Sequence, residues 1–186
     1  MKEIEIKAHL KDKQSVISKL KELGCTVSEP IRQIDTVYTK IIGNVEKYLE
    51  NDHFVRIREK SDGKYLFTIK VPKSKKGDLI KTEHETEISN PQEMESILFI
   101  MDYQVSNKVI KVRNTTKYED YEICLDEVEE LGSFIEVEKM VNNDPMNDQI
   151  VLSEIKSFLE SLGVLAQDAI NKGYDIMMVE KTSAKP

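Results

Sequence analysis

Long apolar runs are missing from this chain of 186 residues. The longest, Ile97 to Met101, is far short of the roughly 20 residues that carry a helix across a bilayer, so a transmembrane helix is excluded. Cysteine is scarce too. Cys25 and Cys124 are the only two, lie far apart and form no CxxC pair, which argues against a disulfide framework and supplies no zinc signature. Both read as small buried hydrophobes. A surplus of positive charge is also lacking. The formal net charge is −7, which repels a nucleic-acid backbone, so no nucleic-acid partner is expected unless basic groups gather in one place. Met1 is followed at once by the strand-like KEIEIKAHL, leaving no room for a secretory leader. A cytoplasmic location with no membrane partner is therefore the expectation.

What the chain does have is charge and alternation. Charged residues make up 33% and hydrophobic ones 39%, the balance of a soluble globular domain, and no repeat or linker divides it, so residues 1–186 are expected to form a single domain. Glu3 to Ala8 alternates charged and apolar residues with the period of two of a strand. Asp12 caps a helix whose apolar positions Val16, Ile17, Leu20 and Leu23 recur at helical spacing, and Gly24 stops it. Cys25 to Thr39 reads as an interrupted strand bent at Pro30. Phe54–Glu59 and Tyr65–Val71 form a hairpin around Ser61-Asp62-Gly63-Lys64, and Lys73 to Asp78 is a basic connector. Strands are expected over Lys81–Ser89, Val105–Arg113, Lys117–Asp126 and Ser133–Val141. Helices are expected from Asn90-Pro91 to about Met101 and from Asp144 to Leu162. The pattern predicts an α+β fold: about eight antiparallel strands, closed into a barrel that removes exposed edges, with two or three flanking helices.

Sorting each strand by side gives the functional signal, because alternate residues face opposite ways. Glu3, Glu5 and Lys7 share a face. So do Arg56 and Arg58; Lys81, Glu83 and Glu85; Lys111 and Arg113; Glu122 and Asp126; and Glu136 and Glu138. The opposite faces carry Ile4/Ile6, Val55/Ile57, Ile110/Val112, Ile123/Leu125 and Ile135/Val137. An open sheet with its charges in solvent explains any one of these stripes. Six together, some basic and some acidic, favour an inverted barrel with charge inside. Lysine and arginine on several walls suit phosphate, and carboxylates on others suit hard cations that bridge to phosphate.

The motifs resemble the CYTH domain superfamily, the triphosphate tunnel metalloenzymes. Glu3-Ile4-Glu5-Ile6-Lys7 is similar to the family's ExExK. Phe54-Val55-Arg56-Ile57-Arg58-Glu59 with Thr68-Ile69-Lys70 is similar to its LRIRE and TxK strands. Lys81-Thr82-Glu83-His84-Glu85 matches R-x-E-x-E with lysine for arginine, Lys111-Val112-Arg113 matches K-x-R, and Leu125 to Glu138 is close to LDxVxxLGxFxEIE. Gln33-Ile34-Asp35-Thr36 and Tyr174 also fit, with Gly173 where serine is commoner. The resemblance implies an eight-stranded tunnel and two-metal chemistry on a triphosphate, with Mg²⁺ or Mn²⁺. It implies metal ligands Glu3, Glu5, Asp126, Glu136 and Glu138, and a phosphate grip of Lys7, Arg56, Arg58, Lys70, Lys81, Lys111 and Arg113. Lys7, Lys111 and Asp126 are implied as catalytic.

The EIEIKA start and the chain length look most like the class IV adenylyl cyclase branch, which makes cyclic AMP and pyrophosphate from ATP. Alternatives are hydrolysis of tripolyphosphate or thiamine triphosphate, and a non-catalytic polyphosphate- or nucleotide-binding module. A homodimer is left open. His9, His53 and His84 are too scattered for a metal cluster.

Overall fold

In a computed structural model of the protein, residues 2–40, 48, 53–72, 80–142 and 148–183 are described. The order is β1 (Lys2–His9), α1 (Lys13–Glu22), β2 (Ile31–Thr39), β3 (Phe54–Lys60), β4 (Tyr65–Pro72), β5 (Ile80–Glu87), α2 (Pro91–Ile100), β6 (Gln104–Tyr118), β7 (Tyr121–Val128), β8 (Gly132–Val141), α3 (Asp148–Ser161), a 3₁₀ turn (Ala166–Asp168), β9 (Ala169–Ile170) and α4 (Tyr174–Ser183). All ladders are antiparallel, in one sheet of order β5-β4-β3-β2-β6-β7-β8-β1-β9. The sheet also bends far enough for β1 to meet β5 through two residue pairs, Glu3 with Lys81 and Ile4 with Ile80.

The class is α+β, as the sequence patterning implies, with three corrections. Among the described residues the sheet has nine strands rather than eight, and four α-helices are present rather than two or three. The two-residue β9 and α4 come from the tail, where a two-residue strand is too short to show a period. A single strand over Lys117–Asp126 is not formed: β6 runs on to Tyr118 and β7 starts at Tyr121, with Glu119 at φ 52° turning the chain. Residues 25–30 are not strand, and β2 begins only after Pro30. The Lys73–Asp78 connector and the Asp144 start of the last expected amphipathic helix lie outside the described residues.

Local chemistry sets the ends. Asp12 accepts a hydrogen bond from the Ser15 amide at 2.9 Å and caps α1; Asn90 accepts from the Glu93 amide at 3.0 Å and caps α2, whose first residue is Pro91. The apolar stripes face outward, away from the charged side of the sheet, and helices cover them. Ile4, Ile6, Ile123, Leu125, Ile135 and Val137 bury against Val16 and Leu20 of α1 and Val151, Ile155 and Leu159 of α3. Val55 and Ile57 bury with Tyr38, Leu98 and Tyr103. Ile110 and Val112 are only half-buried. Lys2 breaks the apolar pattern on its face and is fully buried, its ammonium paired with Asp148 in the first turn of α3.

This arrangement is tested by two truncations. Ile135→Ala, at a site with 0% exposure, is expected to lower the unfolding free energy by about 2–5 kcal/mol in urea titration. Ile100→Ala, at 82% exposure, is expected to move it by less than about 0.5 kcal/mol. Equal effects would mean that the outward face is not the core.

Candidate functional site

The inner face gathers the charged stripes. Glu3, Glu5 and Lys7 of β1, Asp35 of β2, Arg56 and Arg58 of β3, Lys111 of β6, Asp126 of β7 and Glu136 of β8 are all buried. Lys70, Glu83, Arg113 and Glu138 are half-buried beside them. Charges can be buried this way only when they neutralise one another, and they do so in two neighbourhoods.

The first centres on Asp126 and Glu136. Arg113 donates to both Asp126 oxygens, at 2.7 and 2.5 Å, and also to Glu136. Lys111 donates to Asp126 at 3.3 Å, and Lys7 pairs with Glu136 at 3.0 Å and Glu5 at 3.3 Å. Next to these, Arg58 clamps Asp35 with two bonds of 2.6 and 2.7 Å, and Arg56 adds a third contact at 3.4 Å. Tyr174, from the start of α4, donates its hydroxyl to Asp126 at 3.0 Å, while Lys7 and Lys111 lie 4.2 and 5.1 Å from its ring centre. These are cation–π distances.

The second neighbourhood is acidic. Carboxylate oxygens of Glu3, Glu5 and Glu138 lie within 4.8 Å of one another. Lys70 reaches Glu3 at 3.2 Å and Glu83 at 2.6 Å, and Arg56 spans toward Glu83 at 3.6 Å and Glu85 at 3.5 Å. Thr68 accepts from Arg56 Nε at 3.2 Å and donates to Glu85 at 2.8 Å, tying β3 to β5 across β4.

Proton affinities follow this division. Burial, reinforced by the neighbouring Glu5 and Glu3, lifts Glu138 to about 8. Burial lifts Glu3 to about 7, against the pull of Lys70. Glu136 and Asp126 are held below the usual carboxylate range: burial opposes their charge, but Lys7 and Arg113 outweigh it at Glu136, and Arg113 and Lys111 do so at Asp126. Asp35 is depressed in the same way by Arg56 and Arg58. Burial and the adjacent Arg113 lower Lys111 to about 8, with Asp126 pulling the other way. Lys7, equally buried, stays above its ordinary value because Glu136 and Glu5 flank it.

The structure therefore brings together Lys7, Arg56, Arg58, Lys70, Lys111 and Arg113 on one inner face with Glu3, Glu5, Asp126, Glu136 and Glu138. Lys81 is placed by its backbone, opposite Glu3 and Pro72, and its side chain lies outside the described residues. Asp126 sits with the cations rather than in the Glu3–Glu5–Glu138 cluster. Glu122, at the end of its stripe, is exposed. His84 is exposed, His9 stacks on Phe134, and His53 bonds the Tyr103 hydroxyl.

Two inner residues were not assigned roles from sequence. Asp35 lies in the Gln33-Ile34-Asp35-Thr36 segment, and its two arginine partners stand opposite on β3 by strand parity. Cys25 packs in the apolar core as expected. Cys124 does not: it is fully buried, but on the charged face between Glu122 and Asp126.

Comparison with known proteins agrees with this geometry. The family model of the CYTH domain matches residues 1–174. The chain belongs to the CYTH family. Putative adenylate cyclase MJ0240 of Methanocaldococcus jannaschii is 32% identical over 174 residues, covering 94% of this chain and 97% of that protein. The solved structure of the PH1819 protein from Pyrococcus horikoshii OT3 matches this CYTH protein with a TM-score of 0.81 at 26% identity, covering 96% and 99% of the two chains. The Hippeastrum protein HpAC1, an adenylyl cyclase candidate described as having a dominant triphosphatase activity, matches with a TM-score of 0.61 at 20% identity, covering 98% and 96%. At that identity the likeness is one of fold.

The acidic cluster makes stability depend on pH. A carboxyl whose folded pKa lies above its ordinary 4.5 binds more protons folded than unfolded between the two values. The stability it allows is present at low pH and lost as pH rises through that window. For Glu3 and Glu138 the window runs from 4.5 to about 7 and about 8. Without divalent cations, the melting temperature is expected to fall between mildly acidic and mildly alkaline pH, and to fall less in Glu138→Gln. Calorimetric slopes that match in parent and variant would rule this out.

Proposed function

We propose that this CYTH protein is a divalent-cation-dependent enzyme that holds a triphosphate against the inner face of its sheet, with the β1–β5 contact as the seam of a closed tunnel. The observation that carries the proposal is the buried pairing of a lysine–arginine wall with a separate carboxylate triad. A bare anion site needs only the cations, and a bare cation site only the carboxylates. A metal-bound polyphosphate needs both. Glu3, Glu5 and Glu138 fit Mg²⁺ or Mn²⁺ by donor chemistry, being oxygen ligands so crowded that two of them hold protons near neutrality. Glu136 adjoins them. When bound, the ion neutralises phosphate charge and orients the leaving group.

The chain's own residues divide the remaining work. Arg58, Arg56, Arg113, Lys7 and Lys70 exchange carboxylate partners for phosphate oxygens, and Asp35 and Asp126 keep the guanidinium planes aimed inward before a ligand arrives. Lys111, with its proton affinity near neutrality, is the group that takes the proton of the attacking hydroxyl. Tyr174 and Asp126 fix its position.

The first reading is cyclisation of ATP, in which the ribose 3′-hydroxyl attacks the α-phosphorus to give cyclic AMP and pyrophosphate. The adenylate cyclase name carried by the 32% identical relative supports it. The second is hydrolysis of tripolyphosphate or another triphosphate, in which water attacks the terminal phosphorus. It is supported by the inner wall itself, whose lysines and arginines suit phosphate and not a base. Incubation with ATP and Mg²⁺ or Mn²⁺ separates the two. Cyclic AMP that disappears with 3′-deoxy-ATP is the expected result; rapid consumption of tripolyphosphate with no cyclic AMP would replace the first reading by the second. Glu136→Gln is expected to abolish either reaction, and turnover by the parent in EDTA would remove the cation requirement.

The grip is tested separately from the chemistry. Arg58→Lys keeps a positive charge beside Asp35 but loses the two-pronged guanidinium, so tripolyphosphate affinity is expected to fall about tenfold by calorimetric titration. Unchanged affinity would place Arg58 outside the grip.

A further inference from the structure

We propose that Cys124, Glu136 and Glu138 form a second cation subsite, one that takes a thiophilic divalent ion of the zinc type and shares Glu138 with the all-carboxylate triad. It deepens the metal part of the function proposed above and rests on that reading only for its consequence in turnover.

Three observations converge. The first is geometric: Cys124 stands opposite Glu136 in the β7–β8 ladder, and its sulfur and one oxygen each of Glu136 and Glu138 lie within 4.8 Å of one another. Two ligands on one tetrahedral zinc ion, at about 2.3 Å for sulfur and 2.0–2.2 Å for oxygen, are roughly 3.5 Å apart. Side-chain rotations that draw the donors together by up to about 1 Å, with Glu136 turning one oxygen from Lys7 or Arg113, close the site. The second is that Cys124 is fully buried on the polar inner face, unbridged, and makes no hydrogen bond among the described residues. A cysteine kept for packing belongs with Cys25 in the apolar core, whereas this thiol is aimed at two carboxylates. The third is that Glu138, unlike Glu136, makes no ion pair within 4.0 Å among the described residues, while Glu5, Glu3 and Glu136 crowd it against the pull of the more distant Lys70. Lys70 offsets only part of that repulsion, and a bound cation would supply the rest.

The chemistry of the donors separates the two subsites. Glu3, Glu5 and Glu138 are hard oxygen donors suited to Mg²⁺ or Mn²⁺. A thiolate with two carboxylates suits a softer ion that tolerates three or four ligands. On binding, the S–H bond of Cys124 breaks, a sulfur–metal bond forms and the proton leaves to solvent, with no change of oxidation state. Since Glu138 is common to both sets, an ion on Cys124 either bridges to a neighbour through that carboxylate or withdraws a ligand from it. Zinc and magnesium are thereby coupled at one residue.

Cadmium is the probe, because its bond to thiolate absorbs in the ultraviolet. The chelator-treated full chain, with no triphosphate present, is titrated with Cd²⁺ at neutral pH. A saturable thiolate–cadmium band at one equivalent is expected. It should vanish in Cys124→Ser and persist in Cys25→Ser. In Glu138→Gln, which keeps both thiols, it should need at least about tenfold more cadmium. No band in the parent, a band that survives Cys124→Ser, or a Glu138→Gln variant that titrates like the parent would each overturn the proposal. If Cys124→Ser fails to fold, the Glu138→Gln titration decides alone. Failure of triphosphate turnover would leave the cadmium result standing, and loss of the band would leave the proposed function standing.

Discussion

The cations on the inner face of this sheet, Arg58, Arg113, Lys7 and Lys70, each meet an opposite charge carried by a different strand. An uncompensated ion in such a place costs several kcal/mol, so the pairs Arg58–Asp35, Arg113–Asp126, Lys7–Glu136 and Lys70–Glu3 act as constraints on register as much as on chemistry. A slip of one residue in any of these strands would send its charges outward into the helices and its isoleucines and valines inward among carboxylates. The penalty would fall on both faces at once.

The same constraint explains the placement of the helices. A sheet whose polar side faces inward has its hydrophobic side on the outside, and α1 and α3 cover it over β1, β7 and β8. The inverted arrangement even recruits a buried ion pair to the exterior, where Lys2 under α3 meets Asp148 at the helix start. A carboxylate is favoured there by the helix dipole.

Sequence patterning located most of this because strands with one charged and one apolar face announce their orientation residue by residue. Glu3-Ile4-Glu5-Ile6-Lys7 could hardly be read otherwise, and the Leu125–Glu138 segment contained both its turn and its two walls. What patterning missed follows from the limits of period. β9 is two residues long, the end of β6 runs into β7 through a two-residue turn with no glycine, and α4 has only a weak apolar stripe. At the site, the charged residues were legible individually but their partners were not. That Asp126 would sit with Arg113, Lys111 and Tyr174, while Glu138 joined Glu3 and Glu5, depends on how far each strand is staggered around the curve of the sheet. Composition says nothing of Cys124, although parity alone puts it between Glu122 and Asp126 on the charged face.

The two charged neighbourhoods give the interior a direction. Lys7, Lys111 and Arg113 share Asp126 and Glu136, with the Tyr174 ring lying against the two lysines. Glu3 and Glu83 pair with Lys70, and Glu5 and Glu138 crowd beside Glu3. A chain of phosphates placed along this gradient does not feel the same field at its two termini. The free end of such a chain carries more charge than the esterified end and answers that difference more strongly, and a cation held by Glu3, Glu5 and Glu138 would change its size and sign. For the elongated anion proposed above as substrate, such an interior would act as a polarised track, setting its heading before any contact with the group attached to it.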